Sequence, residues 1–338
     1  MNIYLIESPF QMLCALDAKN SFPANRHVLI IRSMLGEQDR RQITHLSEYE
    51  TWDSVIDYSS IPESILYTVN AFLIFYFRNF KGPHFECVFI GNYNRDWMHA
   101  WAGSIPFTSS YMLDDGTLTL VVQSAFEADD FSMLEMQGKS VIRTITDAIF
   151  SINSKRPSLM DIFTIFHGLE PLAGQKILSN RLEMVRHSNN NSRRPKSGIC
   201  FVGSNMVGSN IVTEDVYIER MAAIRDHFKK ENETVFYYPH RREMQSLQAR
   251  ISDLDIVVVT NRSDSDKILE FVLMEENRFH AIVSFYSTAI FSLGIFLKDA
   301  EFRLFEIPQE HIREEFLQNY QIILNYAKGT TFIDVIQC

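Results

Sequence analysis

Short runs of β-branched and aromatic residues alternate with longer stretches of helical period in both halves of this chain, the pattern of βα units wound around parallel sheets. In the first half the strand-like runs are residues 3–6, 27–31, 87–90 and 110–113. In the second they are residues 199–202, 234–238, 256–259, 280–284 and 303–306. Ser8 followed by Pro9 is an N-cap and first-turn pair, so a helix should start directly after the first strand. Thr213, with Glu214 and Asp215 behind it, should cap another helix, on which Tyr217, Met221, Ile224 and Phe228 form one apolar stripe. The fold class expected is α/β.

At 338 residues the chain has room for about two domains of usual size, each with its own core. The segment HSNNNSRRPKSG, residues 187–198, crowds polar, basic and turn-forming residues with no apolar period and is the expected linker. It would separate an N-terminal Rossmann-like domain, 1–186, from a C-terminal one, 199–338, with the two facing each other across a cleft that receives loops from both sheets. Hydrophobic residues make up 46% and Phe outnumbers Gly 26 to 13, which points to bulky, folded interiors rather than a low-complexity chain. A net charge of −10 has the wrong sign for a protein that neutralises duplex phosphates, so nucleic acid is not expected as a partner.

Cys14, Cys87, Cys200 and Cys338 are scattered, without the close pairing of a zinc site, and read as reduced thiols. The N-terminus lacks the basic leader and apolar run of a signal peptide, and the most apolar window, residues 71–77, is far shorter than the roughly 20 residues of a spanning helix. A cytoplasmic protein is expected.

Three motifs carry candidate chemistry. In YMLDDGTLTL, Asp114 and Asp115 lie on a strand-end turn closed by Gly116; a carboxylate there suits general-base work, and an ordinary Asp-Gly turn is the alternative. In FYYPHRREM, a Tyr-rich strand runs through Pro239 into His240 and Arg241 at the start of a helix, where an imidazole can donate to a phosphate; a solvated strand-end histidine is the other reading. In VSFYSTAIFSLGIF, Ser287 and Thr288 stand at the first turn of an apolar helix, either as phosphate ligands or as caps.

Other groups are more ambiguous. Asp264, Ser265 and Asp266 have the spacing of a metal-holding triplet, but helix capping explains them as well. Glu270 stands on the helix that follows, as a ribose-holding carboxylate or as a surface acid. The loop GNYNRDWMHAW offers Asn92, Arg95, Trp97 and His99 toward an acceptor or a carboxylate, and core aromatics with polar neighbours account for it equally.

Taken in order, the Asp-Asp-Gly turn, the Tyr-rich strand ending in histidine and the Phe-Tyr-Ser-Thr-Ala helix start resemble the bacterial GT-B sialyltransferases, in particular the lipooligosaccharide sialyltransferase and polysialyltransferase branches. The opening ESPFQMLCALDA also resembles their first strand-to-helix junction. The resemblance implies two Rossmann-like domains in a GT-B arrangement, CMP-sialic acid as donor substrate and a sugar hydroxyl as acceptor, commonly a galactoside of a surface glycan or lipopolysaccharide. Asp115 matches the general base and His240 the group that meets the CMP phosphate. Ser287 and Thr288 match its phosphate ligands and Glu270 the ribose ligand, with Arg241 and Gly203 placed alongside them on the donor side.

Asp114, Asn92, Arg95 and Gln11 fall on the acceptor side. In the family the histidine is usually followed by proline; here Pro239 precedes it and Arg241 follows, as a second phosphate partner.

A base in the first domain and a phosphate site in the second put attack and departure on opposite sides of the cleft, which favours an inverting transfer. A leaving monophosphate can be met by imidazole, hydroxyls and amides, so neither metal nor cofactor is expected. A lipid-linked acceptor would bring the protein to the cytoplasmic face of the inner membrane, with Arg193, Arg194 and Lys196 as the contact; solvation of the linker explains those charges too. The competing readings are a GT-B transferase with another nucleotide sugar, a metal-requiring transferase using Asp264 and Asp266, and a non-catalytic nucleotide- or glycan-binding protein.

Overall fold

A computed structural model describes residues 1–32, 36–81, 84–134, 141–186, 196–259 and 266–337. The chain divides into two compact units, Met1–Met184 and Val185–Cys338. The expected linker falls almost wholly outside the described residues, as do Arg193, Arg194, Asp264 and Ser265.

Unit 1 contains a seven-stranded sheet of β1 (Asn2–Ile6), β2 (His27–Ile31), β3 (Ser54–Asp57), β4 (Phe85–Ile90), β5 (Phe107–Leu113), β6 (Asp161–Thr164) and β7 (Ile177–Ser179). Its order is β3-β2-β1-β4-β5-β6-β7, and every pairing is parallel. The helices are α1 (Pro9–Ser21), α2 (Glu37–Ser47), α3 (Glu63–Phe80), α4 (Asp96–Ser104), α5 (Leu118–Ala128), α6 (Val141–Phe150) and the short α7 (Glu183–Arg186) at the division between units. All five residues of β1 are buried, as its continuous apolar run requires of a strand covered on both faces. Tyr4, Phe89 and Tyr111 stack across β1, β4 and β5 with ring centroids 4.7 and 5.5 Å apart, so these three buried rings tie the central strands together. Ser8 caps α1, accepting from Gln11 N, and Pro9 opens the helix as expected.

Unit 2 contains six parallel strands: β8 (Ile199–Val202), β9 (Val235–Tyr238), β10 (Val257–Val258), β11 (Ala281–Ser284), β12 (Glu301–Glu306) and β13 (Ile333–Gln337). Their order is β10-β9-β8-β11-β12-β13. The helices are α8 (Glu214–Lys230), α9 (Gln245–Ser252), α10 (Leu269–Glu276), α11 (Ala289–Phe296) and α12 (Glu314–Gly329). Thr213 caps α8, and Tyr217, Met221, Ile224 and Phe228 are its buried residues. The nine strands expected from the sequence are all present, and β3, β6, β7 and β13 are additions. Three of the four are sheet margins: β3 pairs with β2 alone, β7 with β6 alone and β13 with β12 alone. Half-covered strands lack the apolar run that marks a central one.

In each sheet the chain starts in the middle, builds outward on one side, then crosses to the other. The strand order therefore reverses between β1 and β4 in unit 1 and between β8 and β11 in unit 2. Beyond the carboxyl ends of the strands at such a reversal, the loops part and leave a crevice, the usual ligand position in open α/β sheets.

Candidate active site

The candidate residues of unit 1 collect at its reversal point. Asp115 follows β5 on a tight turn in which Gly116 adopts φ +66°, a conformation a side chain would strain. The carboxylate is half-buried, and Gln11 Nε2 donates to its Oδ1 at 2.7 Å from the first turn of α1. Glu7, at the end of β1, accepts at one oxygen from Trp97 Nε1 (2.6 Å) and at the other from Arg95 Nε (2.9 Å). The Arg95 guanidinium is thereby fixed through its inner nitrogen, while its side chain keeps 32% of its exposure. Asn92 shapes the turn before α4, its Oδ1 accepting from Asn94 N at 2.8 Å and its backbone carbonyl from Arg95 N.

Asp114 departs from its expected role on the acceptor side. It is wholly buried, with Thr164 Oγ1 donating to one oxygen at 2.6 Å and Ile165 N to the other at 2.7 Å, so it fastens β5 to the end of β6. Burial pushes its pKa up to about 7, against the pull of these donors. Gln11 is only 1% exposed and is directed to Asp115 rather than to an open acceptor surface. Trp97 and His99 likewise belong to the interior: His99 is 1% exposed, its Nε2 lies 2.7 Å from the Tyr93 carbonyl, and burial lowers its pKa to about 4. The neutral ring donates to that carbonyl from Nε2. A cavity of about 660 Å³ in unit 1 is bounded by Tyr93, His99, Phe131, Arg156 and Met160; of the candidates His99 lines it, while Asp115, Gln11, Asn92 and Arg95 do not.

In unit 2 the candidates come from three adjacent strands. Gly203 follows β8, His240 follows β9, and Ser287 and Thr288 follow β11. A Cβ on Gly203 would sit 3.0 Å from His240 N and 2.7 Å from the Tyr237 hydroxyl, so the absent side chain lets these loops come together. His240 is half-buried, and its Nδ1 accepts from Arg242 N at 3.2 Å. In the neutral ring the proton accordingly sits on Nε2, the nitrogen turned into a donor. Arg241, beside it, is exposed.

His240 does not stand at a helix start, as the sequence suggested. Residues 241–242 form a turn and α9 begins only at Gln245. Glu243 N donates to the His240 carbonyl at 2.8 Å, closing that turn before a helix can begin. The Glu243 carboxylate reaches inward to the Tyr237 hydroxyl at 2.5 Å, and Tyr237 meets Tyr217 at 3.0 Å. Burial raises Glu243 to about 7, opposed by its hydrogen bonds from Tyr237 and the His240 backbone.

Ser287 and Thr288 are half-buried. Ser287 Oγ accepts from Ala289 N at 3.3 Å, and Ser287 N donates to the buried Ser284 Oγ, which itself donates to the Val202 carbonyl. A hydroxyl accepting from a backbone amide keeps its own proton available to an anion. Glu270, in the first turn of α10, is buried and accepts from Ser292 Oγ on α11 at 2.9 Å. Asp266 is exposed, and among the described residues no group of three His, Cys, Asp or Glu side chains is placed to hold a metal ion.

The sequence reading assigned no role to Glu7 or Glu243. The signals were present: an acid directly after a fully apolar strand, and a second acid three residues after the histidine. Among the described residues no helix is long and apolar enough to cross a membrane.

Known proteins are similar to this chain in sequence or fold. A CMP-N-acetylneuraminate:beta-galactoside alpha-2,3-sialyltransferase of Pasteurella multocida (strain Pm70) is 23% identical over 296 residues, 87% of each chain. The crystal structure of a Photobacterium damselae sialyltransferase, residues 113–497 corresponding to its GT-B domain, aligns over 100% of both chains at 12% identity with a TM-score of 0.49. The UDP-GlcNAc 2-epimerase of Methanocaldococcus jannaschii aligns over 98% of this chain and 94% of its own at 10% identity with a TM-score of 0.50, a likeness of fold. Each unit is a parallel sheet of Rossmann type, so the fold class is α/β. The model of glycosyltransferase family 52 matches residues 64–305, most of both units. The chain is a glycosyltransferase and belongs to glycosyltransferase family 52.

Proposed function

We propose that this glycosyltransferase moves sialic acid from CMP-sialic acid to a galactoside hydroxyl of a bacterial surface glycan or lipopolysaccharide, with inversion and without a metal or other cofactor. Family membership and the name of the Pasteurella relative support the donor and the acceptor class. The observation that carries the reading is the contrast in chemistry at the two reversal points. An oriented carboxylate, Asp115, stands at one, and an imidazole and hydroxyls, His240, Ser287 and Thr288, stand at the other. A carboxylate suits deprotonation of an alcohol, and N–H and O–H donors suit a departing phosphate.

In this scheme Asp115 accepts the proton of the acceptor hydroxyl as its oxygen bonds to the anomeric carbon of the sialic acid. The bond from that carbon to the CMP phosphate oxygen breaks, and its electron pair leaves with CMP. His240 Nε2, the Ser287 and Thr288 hydroxyls and Arg241 meet the charge that develops on the leaving phosphate. Glu270 is assigned to the ribose, Gly203 to the close approach of the nucleotide, and Asn92 and Arg95 to the acceptor side. Unit 1 would serve the acceptor and unit 2 the donor, in a protein working at the cytoplasmic side of the membrane.

The test is product analysis after incubating the protein with CMP-sialic acid and a panel of galactosides, beside thermal-shift measurements with CMP, UDP and GDP. A sialylated product with stabilisation by CMP alone is the expected result. Stabilisation by UDP or GDP instead would assign another nucleotide sugar, and CMP binding with neither transfer nor donor hydrolysis would make the protein a binder.

A further inference from the structure

We infer that Gln11 is a positioning residue for Asp115, and that the step from Glu7 to Gln11 at the β1–α1 junction aims the acceptor-side groups. The inference rests on the reading of Asp115 as the base and deepens it. Gln11 occupies the first turn of α1, where its backbone N donates to the Ser8 cap and its side chain turns inward, 1% exposed. The amide has only one workable orientation. Glu7 N donates to Oε1 at 2.7 Å, and because a backbone N–H is a donor alone, the oxygen must face it. Nε2 is then committed to the other side, where it donates to Asp115 Oδ1 at 2.7 Å.

The carboxylate is thus held by a donor whose own direction is fixed by the main chain. A charged acceptor in such a hydrogen bond gains more than a neutral one, so the contact favours the ionised base and sets which oxygen is occupied.

Gly91 supplies an independent observation. A Cβ there would lie 2.3 Å from Gln11 Oε1 and 2.8 Å from the Leu5 carbonyl. The loop after β4 is therefore kept bare where the Gln11 amide passes beneath it. Glu7 performs a parallel task from the same junction, holding Arg95 and Trp97. The motif ESPFQ thereby serves three later parts of unit 1, the turn after β5, the turn after β4 and the start of α4.

The experiment is a double-mutant cycle of Gln11→Glu and Asp115→Asn, with Gln11→Leu as a second replacement, read as sialyl transfer from CMP-sialic acid to a galactoside. Gln11→Glu keeps the length and the acceptor for Glu7 N but sets an oxygen against Asp115. Both Gln11 variants should lower kcat about 10- to 100-fold, the scale on which a misplaced reacting group is felt, while the KM for donor stays within about twofold. On an Asp115→Asn background they should add nothing further.

An unchanged kcat, a loss carried by KM, or full additivity with Asp115→Asn would overturn the positioning role. Near wild-type turnover of Asp115→Asn alone would instead remove the base assignment itself, so the two failures are told apart. Should Gln11→Glu not fold, as judged by its melting transition, the Gln11→Leu arm carries the same split between kcat and KM.

Discussion

The two units share a topology but hold their functional groups differently. At the crevice of unit 1, side chains are tied to side chains from distant parts of the sequence: Gln11 to Asp115, Arg95 and Trp97 to Glu7, Thr164 to Asp114. At the crevice of unit 2, the groups proposed to meet a phosphate take their bearings from amides of their own loops, His240 from Arg242 N and Ser287 from Ala289 N. The difference matches the tasks proposed for them. A base must present one oxygen along one line, and long-range ties set direction. An anion cradle must offer several donors that tolerate small displacement, and short loops supply that.

The comparison is open to attack, beginning where the effect should be largest. Asp115→Asn should cut transfer about 10²- to 10⁴-fold while leaving CMP binding by calorimetry unchanged. Equal loss of binding would mean that unit 1 also serves the donor. His240→Ala should lower kcat about 100-fold and weaken CMP affinity as well, because the donor on Nε2 is removed from ground state and leaving group alike. Unaltered CMP affinity in that variant would move the phosphate site away from β9.

Asp114→Ala tests whether the wiring of unit 1 is structural at its base. It leaves the Ile165 amide and the Thr164 hydroxyl buried without their acceptor, and chemical denaturation should show a loss of about 2–3 kcal/mol. A loss near zero would show that β5 and β6 stay together without it.

The smallest effect concerns Glu243, beneath the His240 turn. Its carboxyl is raised by burial from 4.5 to about 7, so its contribution to stability is complete below about pH 4.5 and fades as pH rises through 7, where ionisation in the buried site becomes costly. Glu243→Gln keeps an acceptor for Tyr237 and removes the titration. Relative to wild type it should gain about 2 kcal/mol between pH 5.5 and 8.5, measured by thermal melting at both values. A parallel course for the two proteins would assign the drift to another group.

The legibility of these features in the sequence follows how local they are. Ser8 with Pro9, Thr213 with its acidic first turn, and the stripe from Tyr217 to Phe228 all depend on residues within a few positions of one another. The Asp-Asp-Gly turn was legible for the same reason, since Gly116 alone supplies the positive φ. Which of the two aspartates faces inward was not legible, because Asp114 is claimed by Thr164 and Ile165 at the end of β6, a four-residue strand 47 positions beyond it at its start.

α9 begins at Gln245, later than the expected start at residues 241–243, for a related reason. The run His240-Arg241-Arg242-Glu243 has helical composition, but Glu243 is drawn down to Tyr237 and closes a turn instead. Gln11 was expected on the acceptor side, but its partner is 104 residues away, beyond the reach of any local pattern.

An imidazole or hydroxyl that is steered by an amide two residues further on travels with its own segment of chain. Residues 239–243 and 285–289 of this protein are in that sense portable cassettes, and exchanging them between related transferases should carry leaving-group preference along. Asp115 has no such mobility. Transplanted without Gln11 and a bare position 91, it would arrive in a new host as a carboxylate with no compass.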